Sequence, residues 1–142
     1  MDTIFEKESV RHYISLLQEN INRMASNCTS CKTWLITIVS ALCALQLAND
    51  TIKGYIWIAL IPTVLFLVLD AYYLGQEKRF RDIEATFVQK IKSGENVLPD
   101  LYTFKQAEKH NCKYFWKGLI SPSTWLMYFT VAAIIMLIVF AL

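Results

Sequence analysis

Glycine and proline are scarce in this 142-residue chain, at four and three residues. That scarcity excludes disordered low-complexity sequence and the turn-punctuated strands of an all-β fold. Charge is scarce too. Asp, Glu, Lys and Arg make up 18% of the residues and leave a net charge of only +2. The basic residues are interleaved with acids rather than gathered into one stripe, so no nucleic-acid partner is expected. There is no nucleophile–base pair, no Gly-rich phosphate loop and no metalloprotease helix. His12 and His110 stand in charged helical segments with no acid constellation around them. An enzyme is therefore not expected, nor is a cofactor or a metal. No internal repeat is visible. The first 30 residues lack the apolar core of a cleavable signal peptide, so the first membrane helix is expected to act as its own insertion signal.

What the chain has in quantity is apolar side chains. They form 55% of it, and its mean hydropathy is +0.35, too high for an ordinary soluble domain of this size. The organising stretch is 57–81, WIALIPTVLFLVLDAYYLGQEKRFR. It carries no charge before Asp70 and then leaves the apolar run through Tyr72, Tyr73, Glu77, Lys78, Arg79 and Arg81, as a membrane-spanning helix that continues into water does.

The fold class expected is an all-α membrane protein with three transmembrane helices, an N-terminal amphipathic helix and a cytoplasmic helical hairpin, in one domain spanning 1–142. Residues 1–32 form the amphipathic helix, 33–48 the first span, 55–75 the second, 76–121 the hairpin and 122–142 the third span. The first span is near the lower limit of about 17 residues for crossing a hydrocarbon layer of about 30 Å. Asn49–Lys53 is the turn joining the first two spans. Pro62 is expected to kink the second span or free a carbonyl. Ser93-Gly94 suits a helix C-cap, and Leu98-Pro99-Asp100 suits a turn. A return helix is expected over about Tyr102–Lys117, with Phe115 and Trp116 at the interface, and Ser121-Pro122 starts the last span. Four Lys or Arg fall in 1–32, one in 49–53 and nine in 76–121. The positive-inside rule then places the N-terminus and the hairpin in the cytoplasm and the C-terminus outside.

Four patterns bear on function. Val10, Ile14, Leu17, Ile21, Met24, Cys28, Cys31, Leu35, Ile38, Leu42 and Leu45 form a heptad seam through both polar and apolar segments. It serves either as a bundle core inside one subunit or as a self-association interface. Ser30, Thr33, Thr37, Ser40 and Ala44 recur at helical spacing, giving a small, hydroxylated face. Such a face allows close helix packing or, in several copies, lines a water-filled pathway. Asp70 needs a partner inside the membrane; Arg23, Lys32 and a neighbouring subunit are the candidates, and the acid either fixes helix depth or serves an ion pathway. It shares a helix face with Tyr73, Glu77 and Arg81. Lys105, Lys109, Lys113 and Lys117 form a stripe that either faces water or meets anionic headgroups. Of the four cysteines, Cys28 and Cys31 fall on the seam, where small buried hydrophobes explain them better than a zinc site completed by His110 and Cys112. A disulfide between them is disfavoured on the reducing side of the membrane.

Asn20-Ile21-Asn22-Arg23-Met24-Ala25-Ser26-Asn27, then Lys32-Thr33-Trp34, Pro62, and above all Leu69-Asp70-Ala71-Tyr72-Tyr73-Leu74 with Glu77, Phe80 and Arg81, resemble a class of small bacterial membrane proteins. The chain looks like the RipA-type oligomeric membrane proteins, and its layout is similar to the SLATT two-helix effector domains of nucleotide-signalling conflict systems. The motif likeness covers residues 17–92. It implies a ring-like homo-oligomer in the bacterial inner membrane, acting as the membrane-disrupting arm of an anti-phage system. The partners it implies are the lipid bilayer, further copies of the chain, and a cytoplasmic protein or signal molecule as trigger. The positions it carries over are Asn20, Arg23, Asn27, Lys32, Asp70, Tyr72, Tyr73, Glu77 and Arg81, as structural and gating residues rather than catalytic ones. The function expected is an effector or channel whose pore is lined by the first helix through Ser30, Thr33, Thr37 and Ser40. The alternative is a non-conducting membrane anchor that recruits a cytoplasmic partner.

Overall fold

The computed structural model describes residues 2–48, 55–103 and 111–141, with side chains at 7–46, 48, 57–103 and 112–138. The described residues are helical throughout apart from short turns, with no strand among them. Helix α1 (Asp2–Ala48) is continuous, so the amphipathic segment and the first apolar segment are one rod, about 70 Å long at 1.5 Å per residue. A short 3-10 turn (Tyr55–Ala59) leads into α2 (Leu60–Ser93). After a second 3-10 turn (Leu98–Asp100) come α3 (Asn111–Leu119) and α4 (Pro122–Ala141). Two helices are by themselves long and apolar enough to cross a membrane. The α3–α4 pair, bent by 55°, makes a third if it is counted as one span.

Helices α1 and α2 run antiparallel. Tyr13 lies beside Phe87, Gln18 beside Glu84, and Cys28 beside Asp70. Helix α4 runs alongside them from the level of Asp70 onward. The interior divides at that level into two cores. The apolar-end core gathers Leu35, Val39, Ala59, Tyr128 and Ile135. The polar-end core gathers Tyr13, Leu17 and Phe87 with Val10, Ile14, Phe80, Ile83, Val97 and Leu101 around them. The Tyr13–Phe87 rings meet edge to face with centroids 4.8 Å apart, the arrangement the ring quadrupoles favour.

The bundle is apolar outside as well as inside. Trp34, Ile36, Ile61, Val64, Leu65, Leu126, Phe129 and Leu137 all stand exposed over the length the three helices share. An exposed apolar surface that encircles a bundle suits a surrounding of lipid, where helices satisfy every backbone group internally. Trp34, Tyr72, Trp116 and Trp125 are exposed around the level of Asp70, as an interfacial aromatic belt requires.

Three sequence expectations change. First, the strict heptad seam is buried at Leu17, Ile21, Cys28, Cys31 and Leu35, with Met24 half-buried, and then drifts: Val39 and Gln46 are buried in place of Ile38 and Leu45. A straight helix of 3.6 residues per turn rotates about 20° per heptad away from a 3.5 repeat, so a long seam leaves its face unless the helices supercoil. The seam is filled by α2 and α4 of the same chain. Second, Pro62 does not kink the middle of an α-helix. It is the third residue of α2, directly after the 3-10 turn Tyr55–Ala59, so the change from 3-10 to α-helical winding falls beside it. Third, the return helix does not begin at Tyr102. That residue has φ +59°, in the left-handed region closed to a right-handed helix. Its ring packs on Tyr13 at 5.6 Å and its hydroxyl lies 3.4 Å from His12 Nδ1. Lys105, Lys109 and His110, and the Asn49–Lys53 turn, lie outside the described residues.

The expected C-cap is present. Gly94 has φ +75°, and the N–H groups of Gly94 and Glu95 reach the Ile91 and Lys90 carbonyls. A Cβ here would meet nothing within 4 Å, so Gly94→Ala costs only the left-handed backbone, about 1 kcal/mol. Thermal unfolding in detergent should show that small loss, and Gly94→Asn should recover part of it.

Candidate functional site

Asp70 is the most unusual group in the chain. It is fully buried where α1, α2 and α4 meet, and neither carboxylate oxygen has a hydrogen-bond partner among the described residues. Its compensation is the Lys32 ammonium, 3.6 Å from Oδ2. Lys32 also donates to Ser123 Oγ at 3.1 Å, so one side chain of α1 ties α2 to the start of α4. Cys28 Sγ lies 3.8 Å from the Asp70 backbone carbonyl. On α4, Tyr128 donates to the Phe66 carbonyl at 2.9 Å, one turn back along α2. Of the candidate partners for the acid the structure selects Lys32; Arg23 instead donates to Asn20 Oδ1 at 2.8 Å.

The positions carried by the family likeness separate. Lys32 and Asp70 are brought together. Asn20 donates to the Leu16 carbonyl and accepts from Arg23, a local pair on α1. Asn27 is half-buried. Tyr72 and Tyr73 meet each other edge on at 5.6 Å. Glu77 and Arg81 form an i,i+4 ion pair at 2.8 Å whose arginine end is mostly exposed, of the sort that contributes well under 1 kcal/mol.

The hydroxylated positions lie on a different surface. Ser30, Thr33, Thr37, Ser40 and Ala44 are all exposed, on the side of α1 turned away from α2 and α4. Thr33 donates to the Thr29 carbonyl and Thr37 to the Thr33 carbonyl, at 3.0 and 2.9 Å. Their donors are thus satisfied along the helix while the oxygens still face outward as acceptors. This small, weakly polar stripe runs between Trp34 and Ile36 through a surface that is otherwise apolar.

Sequence reasoning missed the glycine crossing that holds α3 to α2. A Cβ on Gly118 would lie 2.2 Å from the Ala71 carbonyl oxygen, and one on Gly75 would lie 2.6 Å from the Tyr114 carbonyl oxygen. The two backbones therefore touch. Around this crossing Lys78 donates to the Lys117 carbonyl at 2.9 Å and Tyr114 donates to Asp82 Oδ2 at 2.8 Å. Burial, and after it the bond to Asp82, push the Tyr114 phenol above its usual value. The signal was two glycines within otherwise helical sequence, which mark close backbone approach. Tyr128 is in the core; its spacing to Thr124 and Ile135 carries that information.

Cys28 and Cys31 are free and buried on the seam. No group of three or more His, Cys, Asp or Glu stands close enough to hold a metal among the described residues. Comparison with protein-family models, curated proteins and solved structures gives no match to the chain or to its fold.

Proposed function

We propose that this chain is a homo-oligomeric effector or channel of the bacterial inner membrane, of the anti-phage type its central motif resembles. Copies would gather with the outer face of α1 toward a common axis and permeabilise the bilayer. The observation that carries the reading is the stripe of Ser30, Thr33, Thr37 and Ser40, all exposed on the side of α1 that no other described residue covers. Small hydroxylated residues on a lipid-level helix let copies pack closely and present acceptors to water. The buried Lys32–Asp70 pair supports a structural role for the acid, since it joins three helices rather than facing that stripe. The orientation follows the lysine and arginine count, with the N-terminus and the α2–α3 region in the cytoplasm and the C-terminus outside.

Release of ions or dye from liposomes tests it. The wild-type chain should cause leakage, and Thr37→Leu, which replaces an outward acceptor with an apolar branch, should reduce it several-fold without lowering helicity. Equal flux from loaded and protein-free liposomes would remove the pore. The second reading, a non-conducting anchor, rests on the two-helix stalk of α1 and α2 beyond Asp70. At its tip Lys7, Arg11, Glu95 and Asn96 line an open groove of about 620 Å³. It predicts no leakage, together with capture of a soluble partner that mutation of Arg11 abolishes.

A further inference from the structure

We infer that the corner between α2, α3 and α4 binds the phosphate headgroup of an anionic phospholipid. Lys78 of α2 and Lys113 and Lys117 of α3 line one open cleft of about 610 Å³, walled otherwise by Trp116, Ile120 and Pro122. Three lysines line it, and among the described residues the ion pair that any of them makes is with Asp82. Asp82 lies 3.8 Å from Lys117 and also accepts the Tyr114 hydroxyl, so it offsets at most one of the three charges. Lys78 uses one N–H on the Lys117 carbonyl and keeps two for a ligand.

The cleft is polar on one side only. Beyond Ile120, which is exposed, the apolar side chains of Trp125, Leu126 and Phe129 continue along the outside of α4. A ligand that fills both parts has a phosphate at one end and hydrocarbon at the other. A free phosphate has no use for the apolar track, and acyl chains alone have none for the lysines. The cleft also lies where such a ligand is found: α4 begins at Pro122, and exposed Trp116 and Trp125 flank the same level, as interfacial tryptophans do. The inference depends on membrane placement and not on permeation.

The test is native mass spectrometry of the full chain in detergent, titrated with phosphatidylglycerol and with phosphatidylcholine of the same acyl chains. Phosphatidylglycerol should bind first. Lys113→Gln with Lys117→Gln should weaken it about 25-fold at low salt, from about fivefold per lysine. Lys7→Gln with Lys92→Gln, which removes the same charge elsewhere, should leave it unchanged, and Lys113→Arg with Lys117→Arg should retain most of it. Equal affinity for the two lipids overturns the proposal, as does equal weakening by both glutamine pairs. Displacement of the lipid by inorganic phosphate at matching concentration would show a site for the free anion and overturns it as well. Should the 113/117 glutamine pair fail to fold, the lipid comparison on the wild-type chain and the arginine pair still decide.

Discussion

Gly118→Ala should detach α3 from α2 and cost the fold about 3 kcal/mol, at the upper end of what overpacking ordinarily does. The new methyl carbon would sit 2.2 Å from the Ala71 carbonyl oxygen and 3.0 Å from the Gly75 nitrogen. Both are backbone atoms of a regular helix, so no side-chain rotation relieves the clash, and α3 has to move as a body. Moving it separates Lys78 from the Lys117 carbonyl and Tyr114 from Asp82. It also strains the turn into α4, where Thr124 donates to the Gly118 carbonyl at 3.1 Å. Gly75→Ala should behave alike with a smaller loss, since its nearest atom is at 2.6 Å. Alanine is otherwise the better helix former by about 1 kcal/mol, so the sign of the effect separates the two possibilities. A gain in the midpoint of unfolding in detergent for Gly118→Ala would mean that the crossing is looser than this geometry.

The elements were legible in the sequence because their signals are local. Apolar runs, an uncharged stretch ending at Asp70, and Ser93-Gly94 each report on neighbouring residues alone. The partnership of Lys32 with Asp70 was legible as one of several because a buried acid needs a cation, and few stand at its depth. What stayed hidden depends on rotation and on approach. The seam was followed at 3.5 residues per turn, whereas α1 obeys 3.6 and hands its contacts from Ile38 to Val39. The helix expected from Tyr102 fails because tertiary contacts with Tyr13 and His12 hold that residue in a conformation helical periodicity does not register. The exposure of the Ser30–Ser40 stripe could not be read from its spacing, since the same spacing serves an inward or an outward face.

Lys32→Met should be the most damaging single change in the membrane-level core, at about 3 kcal/mol, whereas Asp70→Asn should cost less. The reason is an asymmetry of desolvation. Asp70 is fully buried with no hydrogen bond to either carboxylate oxygen among the described residues, so Lys32 is the principal compensation for its charge there, and removing one partner of a buried pair leaves an uncompensated ion. Lys32 is about a quarter exposed and can turn toward water or headgroups when the acid is neutralised. The double variant Lys32→Met/Asp70→Leu removes both charges together and should recover much of the loss, as buried pairs replaced by apolar groups often do. A double-mutant cycle on unfolding in detergent gives the coupling directly. Local opening has its own reporter, because Cys28 packs on the Asp70 backbone at 3.8 Å and Cys31 is buried one turn along α1. Both thiols should label faster in Lys32→Met and at the wild-type rate in the double variant. If Lys32→Met costs no more than Asp70→Asn and both cysteines stay protected, then the acid is not held by that lysine, and the joint between α1, α2 and α4 is maintained by packing around Leu35, Tyr128 and Ile135 alone.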